Sequence, residues 1–211
     1  MRRLKDFMRR AQPHNPPVVD FVGYEVLVGY IEKNGLYKLP GDFIEIGAFT
    51  GGGTVKLARL ARKYHKKVYV VDIFDPNADK TATADGTTMS EIYLAFLEGH
   101  SQLDTYRKTT QGYRNIITTI EDSKEVRFPG TQRFSFGFID GNHQPDYVIN
   151  DFHIIWHNLV PGGVLGLHDY DFELPEVTAT IDSLTQDNRN EISEISHIKD
   201  RHIILLKRTG K

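Results

Sequence analysis

The chain has 211 residues, 26 basic and 28 acidic side chains, a formal charge of −2 and no cysteine. The lack of cysteine excludes disulfides, cysteine-ligated zinc and thiol nucleophiles, and the balanced charge argues against a nucleic-acid-binding protein. No apolar run approaches the roughly 20 residues of a membrane span, and the first ten residues lack the apolar core of a secretory signal. We therefore expect a single cytoplasmic domain that acts as an enzyme or a binding protein.

The first 40 residues are predicted to form a helical arm and cap. Five of the first ten side chains are basic, with apolar residues at helical spacing among them. This pattern is typical of a helix that binds a membrane surface or a partner, and equally of a solvated arm lying on the domain or on a second subunit. Prolines then break the chain at 13–17, and residues 19–34 predict an amphipathic helix that ends at Gly35.

Strands and helices alternate from residue 41 onward, so residues 41–211 are predicted as one domain. Strands are predicted at 41–47, 67–74, 115–122, 134–141, 162–171, 191–198 and 201–208. Helices are predicted at 54–64, 89–106, 145–159 and 175–186. This order indicates a doubly wound, mostly parallel sheet with helices on both faces and an antiparallel C-terminal hairpin. The polar loop at 74–88 is interpreted either as a lid or as a plain connection.

A glycine-rich turn follows the first predicted strand, where open α/β sheets bind their ligands. Its sequence is E-I-G-A-F-T-G-G-G-T, residues 45–54. The spacing is not that of the dinucleotide fingerprint, and no lysine follows the last glycine as in a phosphate loop. Glu45 would attract an ammonium group or ribose hydroxyls, and Asp72 closes the second strand, where an acid commonly binds both ribose hydroxyls. A turn selected only for tight packing is the alternative.

The glycine-rich turn, followed by V-V-D (70–72), resembles the class I S-adenosylmethionine-dependent methyltransferases. The segments F-I-D-G-N-H (138–143), L-V-P-G-G-V (159–164) and H-D-Y (168–170) make the chain most similar to the branch of macrocin O-methyltransferase and the cephalosporin hydroxylase-like proteins. This resemblance implies a Rossmann-like, seven-stranded sheet with an antiparallel last strand, and S-adenosylmethionine as cofactor. The implied cofactor-binding residues are Glu45, Gly47, Ala48, Phe49, Thr50, Gly51, Asp72, Ile73, Glu121, Asp122, Ser123 and Asp140.

Asp140 and Asp169 each stand at the C-terminal end of a predicted parallel strand, so their carboxylates should meet at one edge of the sheet. Hard oxygen ligands suit Mg²⁺ or a similar divalent cation, and the resemblance implies that acids at these positions hold one. That branch often has a third acid or amide directly after the second acid. Tyr170 stands there instead, so Asp171 is the candidate third ligand, with Asn142 or water as alternatives. The acids could also cap turns or bind substrate directly.

Two histidines flank these acids. His143 follows the fourth predicted strand and is predicted, with Asp140, to be catalytic, because imidazole accepts a proton near neutral pH. His143, His168 and Tyr170 are the candidate substrate-binding residues, although a structural role is favoured for His168, which precedes Asp169 on its strand.

We therefore expect O-methylation of a small-molecule hydroxyl, on a sugar, a polyketide or a phenol. The alternatives are methyl transfer to nitrogen or to a macromolecule, and a cofactor-binding domain without turnover. Because one cofactor-binding sheet uses most of the chain, a second copy could complete the substrate site, so a homodimer is one expectation. No nucleic-acid partner is expected.

Overall fold

The computed structural model describes residues 19–210, which form a single seven-stranded sheet. The strands are β1 (Asp42–Ile46), β2 (Val68–Asp72), β3 (Ile116–Ile120), β4 (Phe134–Ile139), β5 (Leu159–Leu167), β6 (Ile192–Ile198) and β7 (Ile203–Arg208). Their order is β3-β2-β1-β4-β5-β7-β6. The first five strands are parallel, and β7 is antiparallel to both β5 and β6. The predicted Rossmann-like sheet with its antiparallel hairpin is confirmed.

Helices cover both faces of the sheet. They are α1 (Glu25–Lys33), α2 (Gly52–Lys63), α3 (Met89–Leu97), α4 (Gln102–Thr110), α5 (Pro145–Trp156) and α6 (Pro175–Asp187). Side chains of β1 alternate between two hydrophobic layers, because successive strand residues point to opposite faces. Phe43 packs with α1 and α2, whereas Ile44 packs with α5 and α6. Glu45 therefore points toward the α1–α2 side at the end of a buried strand.

The helix predicted for residues 19–34 begins only at Glu25. The Asp20 carboxylate accepts hydrogen bonds from the backbone N–H groups of Gly23 and Tyr24, at 2.7 and 2.9 Å. Local bonds of this kind compete with helix formation, so residues 19–24 stay irregular and run along the sheet edge. The predicted arm at residues 1–10 and the proline cluster at 13–17 lie outside the described residues.

The single helix predicted for residues 89–106 is two helices. Glu98 and Gly99 adopt left-handed φ angles of 48° and 82°, which end α3. Ser101 then caps α4 by accepting a hydrogen bond from the Asp104 N–H at 3.2 Å. Residues 98–101 therefore separate α3 from α4. Within residues 19–210, no helix has the length and hydropathy needed to cross a membrane.

Candidate functional site

One crevice runs along the edge of the sheet where the parallel strands end. It has a volume of about 870 Å³, near the upper end of ordinary small-molecule sites. The residues after β1, β2, β3, β4 and β5 all contribute to its lining, as does the turn between β6 and β7. This is the location at which open α/β sheets bind ligands, and the volume leaves room for two small molecules side by side.

The glycine-rich turn forms the middle of the crevice floor. Gly47 has a φ of 86°, and the backbone N–H groups of Ala48 and Phe49 donate to Asp72 Oδ2 at 2.8 and 3.0 Å. Asp72 Oδ1 accepts a third bond from the Phe74 N–H at 2.6 Å. Burial is the largest influence on Asp72 and raises its pKa. Asp72 thus holds the turn in shape, a role that sequence reasoning did not predict, while it also lines the crevice.

Two other predicted cofactor residues of the turn lie behind it. Thr50 is buried, and its Oγ1 accepts a hydrogen bond from the Val19 N–H at 3.2 Å. Gly51 caps α2 in a left-handed conformation, with φ 84°. Glu45, Gly47, Ala48, Phe49 and Ile73, by contrast, line the crevice, and their contact with a cofactor stays a prediction.

Glu45 is buried beneath the turn, and both of its carboxyl oxygens have partners. The Tyr24 hydroxyl donates to Oε1 at 2.6 Å and the Thr54 hydroxyl to Oε2 at 2.5 Å. Burial raises the pKa of Glu45 to about 8, although these two hydrogen bonds oppose the shift. Glu45 is therefore fixed in a hydrogen-bonded network, and the structure gives it a second role in joining the segment before α1 to β1 and α2.

Replacing Glu45 with glutamine should change how stability depends on pH. Between about pH 4.5 and 8 the native carboxyl binds a proton that the unfolded chain releases, so raising the pH through this window destabilises the native wild type. Glutamine cannot titrate. The free energy of unfolding of Glu45→Gln minus that of the wild type should therefore increase from pH 5 to 8, by more than about 1 kcal/mol. Urea unfolding measures this difference; the exposed Glu125→Gln is the control, and a pH-independent difference would contradict the assignment.

The residues after β3 line the other end of the crevice, where Glu121, Asp122 and Ser123 were predicted. Asp122 Oδ2 accepts a hydrogen bond from the Tyr147 hydroxyl at 2.8 Å. Ser123 is buried. The end of β3 therefore lines the same crevice as the glycine turn and Asp72, and its binding of the cofactor stays a prediction.

Five alternating acids and imidazoles cross the opposite end of the crevice in one hydrogen-bonded chain. Asp79 contacts His143 Nδ1 at 2.6 Å, and His143 Nε2 contacts Asp169 Oδ2 at 2.7 Å. His168 Nδ1 then joins Asp169 Oδ2 and Asp140 Oδ1, both at 3.0 Å. Asp169 has a left-handed φ of 57°, which turns its side chain back toward the sheet edge. The structure thus brings together four predicted residues and adds Asp79.

His143 has no ring nitrogen free to accept a proton in this arrangement. Burial lowers the pKa of its imidazole, but the carboxylates of Asp169 and Asp79 outweigh burial and raise the pKa to about 10. The same imidazoles hold the pKa of Asp169 below its usual range despite its burial. An imidazolium held between two carboxylates fits a positioning role, which differs from the base predicted from the sequence.

Tyr170 and Asp171 lie away from the crevice, contrary to their predicted roles in substrate and metal binding. The Tyr170 hydroxyl donates to Asp182 on α6 at 2.9 Å. Asp171 is exposed, has a left-handed φ of 60°, and its N–H donates to Thr178. Because β5 ends at Leu167, residues 168–171 form a turn. Of these four residues, His168 and Asp169 line the crevice and the other two do not. Within residues 19–210, the group spaced to hold a metal ion is Asp140, His143 and Asp169, with ligand atoms within 4.8 Å.

Asp79 is the site residue that sequence reasoning missed, because it lies in the polar loop after β2. Its side chain is buried and also accepts the N–H groups of Thr81 and His143, at 2.9 and 3.2 Å. Its carbonyl oxygen accepts from the Ser90 N–H at 3.1 Å. The loop is therefore fastened to the crevice by one carboxylate. The D-x-T spacing typical of an Asx turn was the only local signal.

Removing this carboxylate should loosen the loop. Asp79→Ala leaves several donors of His143 and Thr81 without a partner, and each lost bond costs about 1 kcal/mol. Local opening should then expose the bond after Lys80, so that trypsin cleaves there about ten times faster. The matched control is Asp75→Ala, because among the described residues the side chain of Asp75 bonds only Asn77, within its own turn. Equal cleavage rates for the two variants, followed by mass spectrometry, would contradict this role.

Comparison with known proteins identifies a matching family. The family described as "Methyltransferase domain" matches residues 44–170, more than half of the chain. This span contains the glycine turn, Asp72, Asp79 and the acid–imidazole chain. No curated protein matches the chain by sequence.

Several solved methyltransferases share the fold. The O-methyltransferase NovP is 18% identical, with a TM-score of 0.66 over 88% of this chain and 79% of NovP. CalS11, a TDP-rhamnose 3'-O-methyltransferase, is 13% identical, with a TM-score of 0.60 over 98% and 91%. MycE, solved with Mg and SAH, is 12% identical, with a TM-score of 0.53 over 90% and 54%. At these identities the likeness is one of fold.

Proposed function

The chain belongs to this methyltransferase family and is a class I S-adenosylmethionine-dependent methyltransferase, and from that premise we propose that it methylates a hydroxyl of a small molecule bound in the crevice. The family recognised from the sequence is thereby confirmed. The observation that carries the proposal is the position of the acid–imidazole chain. It faces the glycine turn across one crevice, so an acceptor oxygen bound there would lie next to the cofactor.

The described residues fit S-adenosylmethionine, which supplies a methyl group on a sulfonium. Gly47 lets the ends of β1 and β4 approach closely at the floor of the crevice, because a Cβ there would overlap the Asp140 carbonyl. Ile73 is 44% exposed at the crevice edge and offers apolar cover for a flat base. Glu121 and Asp122 offer carboxylate acceptors for amino and hydroxyl groups. We assign the nucleoside to the β2–β3 end and the methionine part to the glycine turn.

The acceptor hydroxyl is assigned to Asp140. Its Oδ1 is bonded to His168, whereas Oδ2 makes no hydrogen bond to any described residue. This free oxygen can accept the hydroxyl proton as the acceptor oxygen becomes nucleophilic. His168 and Asp169 hold Asp140 in place, and His143 with Asp79 holds Asp169. In this assignment positioning and proton removal are the catalytic contributions of the chain.

A divalent cation could assist the removal of the proton from the acceptor hydroxyl. Asp140 Oδ2 and Asp169 Oδ1 make no hydrogen bonds among residues 19–210, and carboxylate oxygens are the ligands that Mg²⁺ prefers. These two residues would hold the ion, which supplies Lewis-acid activation of an acceptor hydroxyl. The MycE structure contains Mg. We therefore propose cation assistance, and activity unchanged by a strong chelator would exclude it.

Transfer to oxygen is tested with S-adenosylmethionine carrying a ¹³C-labelled methyl group. The enzyme is incubated with catechol, methyl glucoside and phenylethylamine, and the products are examined by NMR. We expect the label as an O-methyl signal on a hydroxyl acceptor. A label found only on nitrogen would contradict O-methylation, and a bound cofactor with no transfer would favour a binding domain without turnover.

A further inference from the structure

Three aromatic side chains form a continuous surface on one side of the crevice. This aromatic wall consists of Phe21 before α1, Phe49 in the glycine turn and Tyr93 on α3. The ring centroids of Phe21 and Phe49 are 5.4 Å apart, and those of Phe49 and Tyr93 are 5.3 Å apart. All three residues line the crevice. Three separate chain segments thus contribute to one apolar surface.

The shape of the aromatic wall suits a flat ring. Its neighbouring rings are inclined by only 42° and 36°, so they form a gently curved face. Phe96 supports this face from behind, edge-on to Phe21 at 4.5 Å and 89°. A cage for a quaternary ammonium group would instead enclose the ligand with steeply inclined rings. Offset stacking on a shallow aromatic face is a favourable geometry for an aromatic ligand.

The aromatic wall stands on the acceptor side of the crevice. Phe21 belongs to a segment held at one end by the Val19–Thr50 hydrogen bond. Near its other end, the guanidinium of Arg201, in the turn between β6 and β7, lies against Gly23. This segment therefore spans the β1-to-β7 half of the sheet, away from Glu121, Asp122 and Ser123. A ligand on the aromatic wall would lie beside Asp140 rather than in the nucleoside end.

Phe49 is held in an unfavourable backbone conformation. Its φ of 49° is left-handed, which is costly for a bulky side chain. The bond from its N–H to Asp72 maintains this conformation. Strained positions of this kind concentrate at ligand-binding sites. The strain places the Phe49 ring on the crevice side of the turn.

Tyr93 is half-buried and lines the crevice, and its hydroxyl makes no hydrogen bond to any described residue. Burial, and then the charges of Asp140 and Asp79, raise the pKa of Tyr93. Tyr93, Asp79 and Asp140 line the same crevice. The Tyr93 hydroxyl is thus available as a donor to an acceptor oxygen bound there.

We propose that Phe21, Phe49 and Tyr93 bind a flat aromatic acceptor that bears a hydroxyl, so that the enzyme methylates a phenol rather than a sugar. The ring stacks on the aromatic wall and presents its hydroxyl to Asp140 and to the Tyr93 hydroxyl. This inference rests on the proposed function and narrows its substrate class.

The test is calorimetry on the enzyme saturated with S-adenosylhomocysteine, using catechol and the non-aromatic trans-1,2-cyclohexanediol as probes. Binding of S-adenosylhomocysteine is measured first, so its failure would reject the proposed function before any acceptor is added. With cofactor product bound, we expect catechol to bind at least about tenfold more tightly than the cyclohexanediol. Equal affinities, no binding of either diol, or preferential binding of tetramethylammonium would each overturn the inference.

Variants locate the effect on the aromatic wall. Phe21→Leu keeps an apolar side chain but removes the stacking face, and should weaken catechol binding about tenfold while leaving S-adenosylhomocysteine affinity within about twofold. Tyr93→Phe keeps the ring, and the lost hydrogen bond should weaken catechol binding by about three- to tenfold. Phe128→Leu and Tyr113→Phe are matched controls outside the crevice. Unchanged catechol affinity in both wall variants would overturn the inference.

Discussion

Replacing Gly47 with alanine is expected to abolish S-adenosylhomocysteine binding and to lower the free energy of unfolding by more than about 3 kcal/mol. Gly47 has a φ of 86°, and a Cβ at this position would overlap the backbone carbonyl of Asp140. The overlap cannot be relieved by a side-chain rotation. The Gly47 N–H donates to Val71 O at 3.0 Å, and the Asp140 N–H donates to Ile46 O at 2.8 Å, so a hydrogen bond to β2 holds Gly47 and one to β1 holds Asp140.

The matched control for this variant is Gly86→Ala. Gly86 has nearly the same φ, 85°, but a Cβ added there would meet no other part of the chain within 4 Å. Only the left-handed strain applies there, which costs about 1–2 kcal/mol. Urea unfolding and calorimetry of both variants separate the cost of the left-handed φ angle from the cost of the overlap with Asp140. Similar losses of stability in the two variants would show that the close approach of β1 and β4 does not limit stability. Intact S-adenosylhomocysteine binding in Gly47→Ala would show that this approach is not required for cofactor binding.

Replacing Asp140 with asparagine is expected to lower kcat by at least about 100-fold. The substitution keeps the side-chain volume, and it removes the charge and the free oxygen that we assign to the acceptor hydroxyl. Because the cofactor is held mainly by the glycine turn and the ends of β2 and β3, S-adenosylhomocysteine affinity should stay within about threefold. Single-turnover kinetics and calorimetry on the same preparation measure the two quantities.

Asp182→Asn is the control for Asp140→Asn. Asp182 lies on α6, accepts the Tyr170 hydroxyl and does not line the crevice. The kcat of Asp182→Asn should remain within about twofold of that of the wild type. If kcat of Asp140→Asn falls less than fivefold, Asp140 is not the group that accepts the hydroxyl proton. If the affinity for S-adenosylhomocysteine falls as much as kcat does, Asp140 binds the cofactor instead.

The sheet and its ligand edge could be predicted from the sequence because their signals are local. Strands such as β2 (V-Y-V-V-D) and β4 (F-S-F-G-F-I) are short runs rich in β-branched or aromatic residues, and the glycine turn lies directly between β1 and α2. Parallel strands end at the same edge, so the convergence of Asp72, Asp140 and Asp169 follows from strand order alone. The break between α3 and α4 had a local signal too, Gly99, which sequence reasoning passed over.

The protonation of the site could not be predicted, because it depends on partners that are distant in the chain. His143 meets Asp79, 64 residues away, and Asp169, 26 residues away. Its ordinary pKa near neutrality suggested a base, but two carboxylates stabilise the imidazolium. Tyr170 and Asp171 were placed in the site by their proximity to Asp169 in sequence. The left-handed conformations of Asp169 and Asp171 turn the chain so that neighbouring side chains diverge.

Cofactor binding at the glycine turn is the central assignment, and titration calorimetry of the wild-type chain with S-adenosylhomocysteine tests it most directly. We predict one site per chain with a Kd in the micromolar range, about −7 to −8 kcal/mol, and loss of that binding in Gly47→Ala but not in Gly86→Ala. No measurable heat of binding at roughly millimolar S-adenosylhomocysteine, where a site of about −4 kcal/mol would still be half occupied, would contradict the account.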